Sequence, residues 1–205
     1  MKFVKPLQFF EELLKRRALR PREHNCNYEL TGRLLGLNVG DNYVALAVSN
    51  SANVTALPLR PLHRQENDMC QMANAFQTLI SEHNVVGFVV GFPYSRKIYK
   101  AICRKEMTEI DDHYVTTVKN YINDLSKTGK FEGFKYTYWD GDVTSKNSEF
   151  VYDQYRCFTY EFKSPLSDTV VDNLDAFRVL QGYLDVAKVL VASDGEYDNK
   201  SGVIN

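Results

Sequence analysis

The chain lacks a surplus of either charge: 25 lysines and arginines stand against 26 aspartates and glutamates in 205 residues, a formal net charge of -1. No global positive field advertises nucleic acid, so any such binding has to use a local patch. Cysteines are few. Cys26, Cys70, Cys103 and Cys157 lie far apart without a CxxC pair, and His24, His63, His83 and His113 show no ligand spacing beside them. That pattern offers no zinc site and reads as reduced, buried thiols. Long hydrophobic runs are missing too. The longest, VVGFVVGF at 85–92, is strand-sized and far short of the roughly 20 residues that cross a bilayer, which predicts a soluble chain with no membrane partner. No internal repeat or low-complexity linker divides the sequence, and its 44% hydrophobic content suffices for one α/β-sized core.

What is present begins with an amphipathic, basic extension over 1–30, in which the apolar Phe9, Phe10, Leu13 and Leu14 are followed by the basic cluster Lys15, Arg16, Arg17, Arg20 and Arg22. Such a segment is similar to an organellar transit peptide, but Glu11 and Glu12 argue against one because those peptides avoid acids. The expected location is the cytoplasm, or a plastid or mitochondrion if the segment is a targeting signal. A docking helix, with Pro6 in its first turn, is the plainer reading.

From Arg33, RLLGLNVG, the turn residues GDN and YVALAVSN read as a hairpin, and NVTALPLRPL adds a third antiparallel strand whose Pro58 and Pro61 put it at an edge. Met69, Met72, Phe76, Leu79 and Ile80 then recur at helical spacing as a core stripe. VVGFVVGF is apolar on both faces, as a central strand covered by helices should be. A polar helix is expected over 98–127, turning Ile102, Ile110, Tyr114, Val118, Tyr121, Ile122 and Leu125 to the sheet, and FKYTYWD at 134–140 is the fifth strand. Its Tyr136, Tyr138 and Trp139 read as core on at least one face rather than as a stacking surface. A helix is expected near Thr144 and another from Ser167 onward, ahead of a polar, disordered tail over 193–205.

This order, a meander followed by parallel βα units, predicts an α/β, ribonuclease H-like domain over 31–192: a mixed five-stranded sheet, antiparallel then parallel, flanked by helices. Acids at the centre of the first strand, the end of the 134–140 strand and the start of the last helix can converge there and hold Mg²⁺.

Four segments, GRLLGLNVG with YVALAVSN, VVGFVVGFP, YTYWDGDVTS and VDNLDAFRVLQGYLD, resemble the YqgF/RuvX family of pre-rRNA nucleases, including its plant members. The resemblance runs from Arg33 to about Asp185. It implies metal-dependent phosphodiester hydrolysis of structured nucleic acid, with rRNA precursor the more expected ligand and branched DNA the less, and Mg²⁺ or Mn²⁺ as cofactor. Carried over residue by residue, the family's first catalytic Asp falls on Asn38, its Glu on Gly141, the adjacent Arg on Asp142 and its last Asp on Asp172. Only Asp172 survives among the three acids. Asp175 stands where the family motif has Ala, one turn on from Asp172. The candidate catalytic set is therefore Asn38, Asp140, Asp142 and Asp172, with Asp172, Asp175 and Asp140 as candidate metal ligands. Asp172 also reads as a first-turn acid complementing the helix dipole, and Asp175 as a drifted position near a vacated site. Arg64, Arg96 and Lys97 are candidate nucleic-acid contacts, each also readable as a solvated surface charge. Two functions stay open: an active nuclease with rearranged acids, or a non-catalytic paralogue that binds nucleic acid or protein.

Overall fold

Alternating apolar strands and helices with one apolar stripe each can bury those faces only by stacking in layers, and the computed structural model has that form. It describes residues 1–18, 32–64, 68–92, 109–141 and 174–189. In chain order the elements are β1 (Lys2–Phe3), α1 (Pro6–Ala18), β2 (Arg33–Val39), β3 (Tyr43–Ser49), β4 (Ala56–His63), α2 (Met69–His83), β5 (Val85–Gly91), α3 (Glu109–Lys127) and β6 (Lys135–Trp139). A last helix, α4, covers 174–189.

The strands form one sheet in the order β1-β6-β5-β2-β3-β4. β2, β3 and β4 pair antiparallel, whereas β2, β5, β6 and β1 run parallel. The β2–β3 hairpin closes over Asp41 and Asn42, with the Gly40 N–H donating to the Tyr43 carbonyl at 3.0 Å. The proline-bearing β4 lies at an edge, as expected, since a proline cannot donate to a further strand.

The sequence predicts five strands, and the sheet has six among the described residues. The sixth, β1, pairs Lys2 with Lys135 and Phe3 with Tyr136; two residues are too few to carry an alternation that a sequence reading can detect. Residues 1–18 thus add a strand to the sheet and a helix to one of its faces.

One face of the sheet packs on α2 and α3, through Leu35, Leu37, Phe88 and Val90 against Met72, Phe76, Val118 and Leu125. The other packs on α1 and α4, through Leu34, Ala45 and Val89 against Phe9, Phe10, Phe177 and Leu180. Phe9 lies over Gly87 so closely that a Cβ there would stand 2.2 Å from its Cζ. α2 starts with a capping box in which Asp68 and Gln71 each bond the other's backbone N–H. Cys70 is exposed rather than buried, because it lies on the opposite side of α2 from Met72 and Phe76. Cys26, Cys103 and Cys157, the 98–108 part of the long helix, the helix near Thr144 and the 193–205 tail fall outside the described residues.

Candidate active site

Parallel strands deliver the residues that follow them to one end of a sheet, where α/β proteins bind ligands. At that end of this sheet lie Asn38 of β2, Gly91 of β5, and Asp140 and Gly141 just past β6. Leu35 and Leu37 face α2 and α3, so alternation along β2 turns Gly36 and Asn38 to the α4 side. The contacts agree. A Cβ on Gly36 would meet Leu180 of α4, and one on Gly91 would lie 2.9 Å from Asn38 Oδ1 and 3.0 Å from Val179 Cγ2. A Cβ on Gly141 would lie 3.2 Å from the same Val179 methyl. Asn38, Gly91 and Gly141 therefore line one recess, with Val179 as its floor.

Two further side chains reach this recess. The Tyr114 hydroxyl of α3 donates to Asn38 Oδ1 at 2.8 Å. Burial pushes the Tyr114 phenol up to about 12, and the charge of Asp175 adds to the rise, so the phenol is a neutral donor throughout the physiological range. Asp175 sits one turn before Val179 on α4, on the same helix face. Tyr114 had no motif to mark it. Its spacing with Val118 and Tyr121 is that of a core stripe, and its ring does pack against the core.

Asp140 is buried, at 6% exposure. It follows directly on β6, whose last residue, Trp139, packs edge-on against Tyr183 of α4 with ring centres 5.4 Å apart. Asp142, Asp172, Arg96 and Lys97 lie outside the described residues. Arg64 is half-buried. Its Nη1 donates to the Gly40 carbonyl at 2.5 Å, and its guanidinium stands 5.1 Å from the centre of the Tyr121 ring. That arrangement ties the β2–β3 hairpin to α3.

The second half of the last motif is also occupied. Gln181 Oε1 accepts from the Ala56 N–H at 2.7 Å, and its Nε2 donates to the Val54 carbonyl at 3.0 Å and to Asp185 Oδ1 at 2.8 Å. The Tyr183 hydroxyl donates to the Pro6 carbonyl at 2.9 Å. In the QGYLD segment, then, Gln181 ties α4 to the turn before β4, and Tyr183 ties it to α1.

The chain as a whole can now be compared with known proteins. The RuvX family model, described as "Holliday junction resolvase", matches residues 32–186. The chain belongs to the RuvX family. Three relatives, each named "Putative pre-16S rRNA nuclease", match over 153 or 154 residues, 75% of this chain. The one from Lachnospira eligens is 27% identical over 75% of this chain and 96% of its own length. Those from Oceanobacillus iheyensis and Ruminiclostridium cellulolyticum are 24% and 26% identical, over 98% and 94% of their own lengths. The chain is thus a nuclease-family protein in a ribonuclease H-like fold.

Nucleases of this type are generally dependent on divalent metal, which makes the donor set of the RuvX recess the test. Mg²⁺ demands several oxygens in near-octahedral array and loses its water reluctantly. Among the described residues, this end of the sheet offers one neutral amide oxygen already accepting from Tyr114, the carboxylates of Asp140 and Asp175, and no donor at Gly141. No group of three or more His, Cys, Asp or Glu that could hold a metal ion occurs among the described residues. The described donors do not fit a pair of such ions.

Proposed function

We propose that this chain binds structured nucleic acid, of the ribosomal RNA precursor class that its relatives' names indicate, and holds it without hydrolysing it. One observation carries the reading. Where the family's first carboxylate falls, Asn38 supplies an amide whose oxygen accepts the hydroxyl of a buried tyrosine at 2.8 Å. A carboxylate position has become a closed hydrogen bond between neutral groups, and Gly141, beside it, has no side chain to compensate. A fold that keeps its scaffold while its acids fall away is a binding module in the making, because function resides in the site rather than in the fold.

A second reading is favoured by one feature, the Asp175 charge felt at Tyr114. Asp175 brings carboxylate back to the same end of the sheet, as a weakened Mg²⁺- or Mn²⁺-dependent hydrolase would need. Calorimetric titration of Mn²⁺ into the full chain, followed by incubation with structured RNA and with four-way DNA, separates the two. The binding module takes up no stoichiometric Mn²⁺, retains the RNA and leaves it intact. Mn²⁺ uptake that disappears in Asp175→Ala, together with cleavage, would replace it with the hydrolase.

A further inference from the structure

The α3 side of β1 and β6 carries a row of rings that the recess does not use. Phe3 lies 5.7 Å, centre to centre, from both Tyr136 and Tyr138. Those two tyrosines are 5.4 Å apart, and Tyr138 is 4.7 Å from Phe92. The row crosses from the outermost strand to Phe92, the residue after Gly91, at the same end of the sheet as the recess but on the α3 face. Phe3 is 45% exposed, Tyr136 and Tyr138 are half-buried, and Lys119 is exposed on α3, with its ammonium 5.7 Å from the centre of the Phe92 ring.

An exposed edge phenylalanine continuous with two half-buried tyrosines is more aromatic surface than a two-residue strand needs to pair. Core packing takes up the inner ends of Tyr136 and Tyr138, while Phe3 at the rim keeps 45% of its surface in solvent. A cation at the inner end makes the row polar in one direction: π-faces at the rim, positive charge toward the ends of the parallel strands. Bases stack on aromatic side chains whatever their identity, and a cation beside them tracks the phosphates.

We propose that this row is a stacking platform for a single-stranded stretch of RNA leading away from a structured segment held at the recess. Two or three bases lie against Phe3, Tyr138 and Tyr136, with Lys119 meeting the backbone. The direction of the row, toward the ends of the parallel strands, joins it to the binding reading above, on which the platform's purpose rests.

The test uses the full chain and three RNA probes: an unstructured oligouridine, a blunt hairpin, and the same hairpin with a single-stranded extension. Fluorescence anisotropy should show oligouridine binding, and the extension should tighten hairpin binding by roughly tenfold for each base that stacks. Phe3→Leu and Tyr138→Leu, which keep apolar volume and lose the π-face, should abolish both effects while blunt-hairpin affinity stays as in wild type; Tyr138→Phe should retain them. Lys119→Ala should lower the salt dependence of oligouridine binding by about 0.7 in logarithmic slope. Unchanged oligouridine binding in Phe3→Leu and Tyr138→Leu, or no oligouridine binding in wild type, overturns the platform. Failure to bind the blunt hairpin overturns the proposed function instead, and if oligouridine still binds through Phe3 and Tyr138 the platform survives that loss.

Discussion

The Tyr114 hydroxyl donates to the Asn38 amide oxygen at the end of β2, and this pair has consequences that single substitutions can read. Tyr114→Phe leaves Asn38 Oδ1 without its donor and is expected to lower unfolding stability by about 1 kcal/mol in urea. The pair also responds to alkali. The Tyr114 phenol is raised from 10.0 to about 12 in the folded chain, so between those values the unfolded state gives up its proton and the folded state does not. Stability contributed by the neutral phenol is intact below pH 10 and is lost as pH rises toward 12. Tyr121 and Tyr183 are raised by burial as well, so Tm should fall steeply over this window in wild type and less steeply in Tyr114→Phe; parallel melting curves for the two would refute the assignment. Restoring acid needs more than one change. Asn38→Asp alone should bring no Mn²⁺ uptake, because Gly141 still supplies no ligand. Asn38→Asp with Gly141→Glu should bring it once Val179→Ala clears the methyl that a Gly141 Cβ would meet at 3.2 Å, and calorimetry reads the difference.

Among the elements, α4 is held by bonds that its sequence motif half announces. Gln181 bridges the Ala56 N–H and the Val54 carbonyl, so Gln181→Leu leaves a buried backbone donor unpaired and should cost about 1–3 kcal/mol. Hydrogen exchange at the Ala56 amide should quicken locally, ahead of global unfolding. The strands and helices of this region were legible in the sequence because their chemistry is periodic. Met72 and Phe76 on α2, Val118, Ile122 and Leu125 on α3, and the doubly apolar β5 all stand buried as their spacing predicts. Legibility ended where period gives no information. Tyr114 has the spacing of a core residue, and only its hydroxyl shows that it also belongs to the recess. Arg64 reads as a surface charge until its fork is seen on the Gly40 carbonyl. Motif order drew attention to Asn38 and Gly141 as replaced acids, but no sequence pattern says that Gly91 and Val179 crowd the same recess, since those contacts join three separate elements. Phe3 on a two-residue strand carries no signal either.

At the scale of the whole molecule, the family match and the folded unit differ in extent. The match begins at residue 32, whereas the sheet begins at Lys2, and the α1 side of the core draws Val4, Phe9, Phe10 and Leu13 from before the match. These four are at most 5% exposed. Full burial of one large apolar side chain contributes about 1.5–3 kcal/mol, so the four together rival the roughly 5–15 kcal/mol by which a domain is stable at all. The losses extend beyond area. Removing residues 1–31 would uncover Gly87 beneath the Phe9 ring, strip Tyr183 of its acceptor at Pro6, and expose the edge of β6 now paired with β1. A chain starting at Gly32 is therefore expected to be insoluble or to lack a cooperative thermal transition by circular dichroism, although it contains every residue of the family match. Phe9→Ala in the full chain tests the same dependence more gently, with an expected loss of about 3–5 kcal/mol. If the shortened chain melted cooperatively at the wild-type temperature, α1 would be an ornament on a self-sufficient domain, and the close seating of Phe9 over Gly87 would need another explanation.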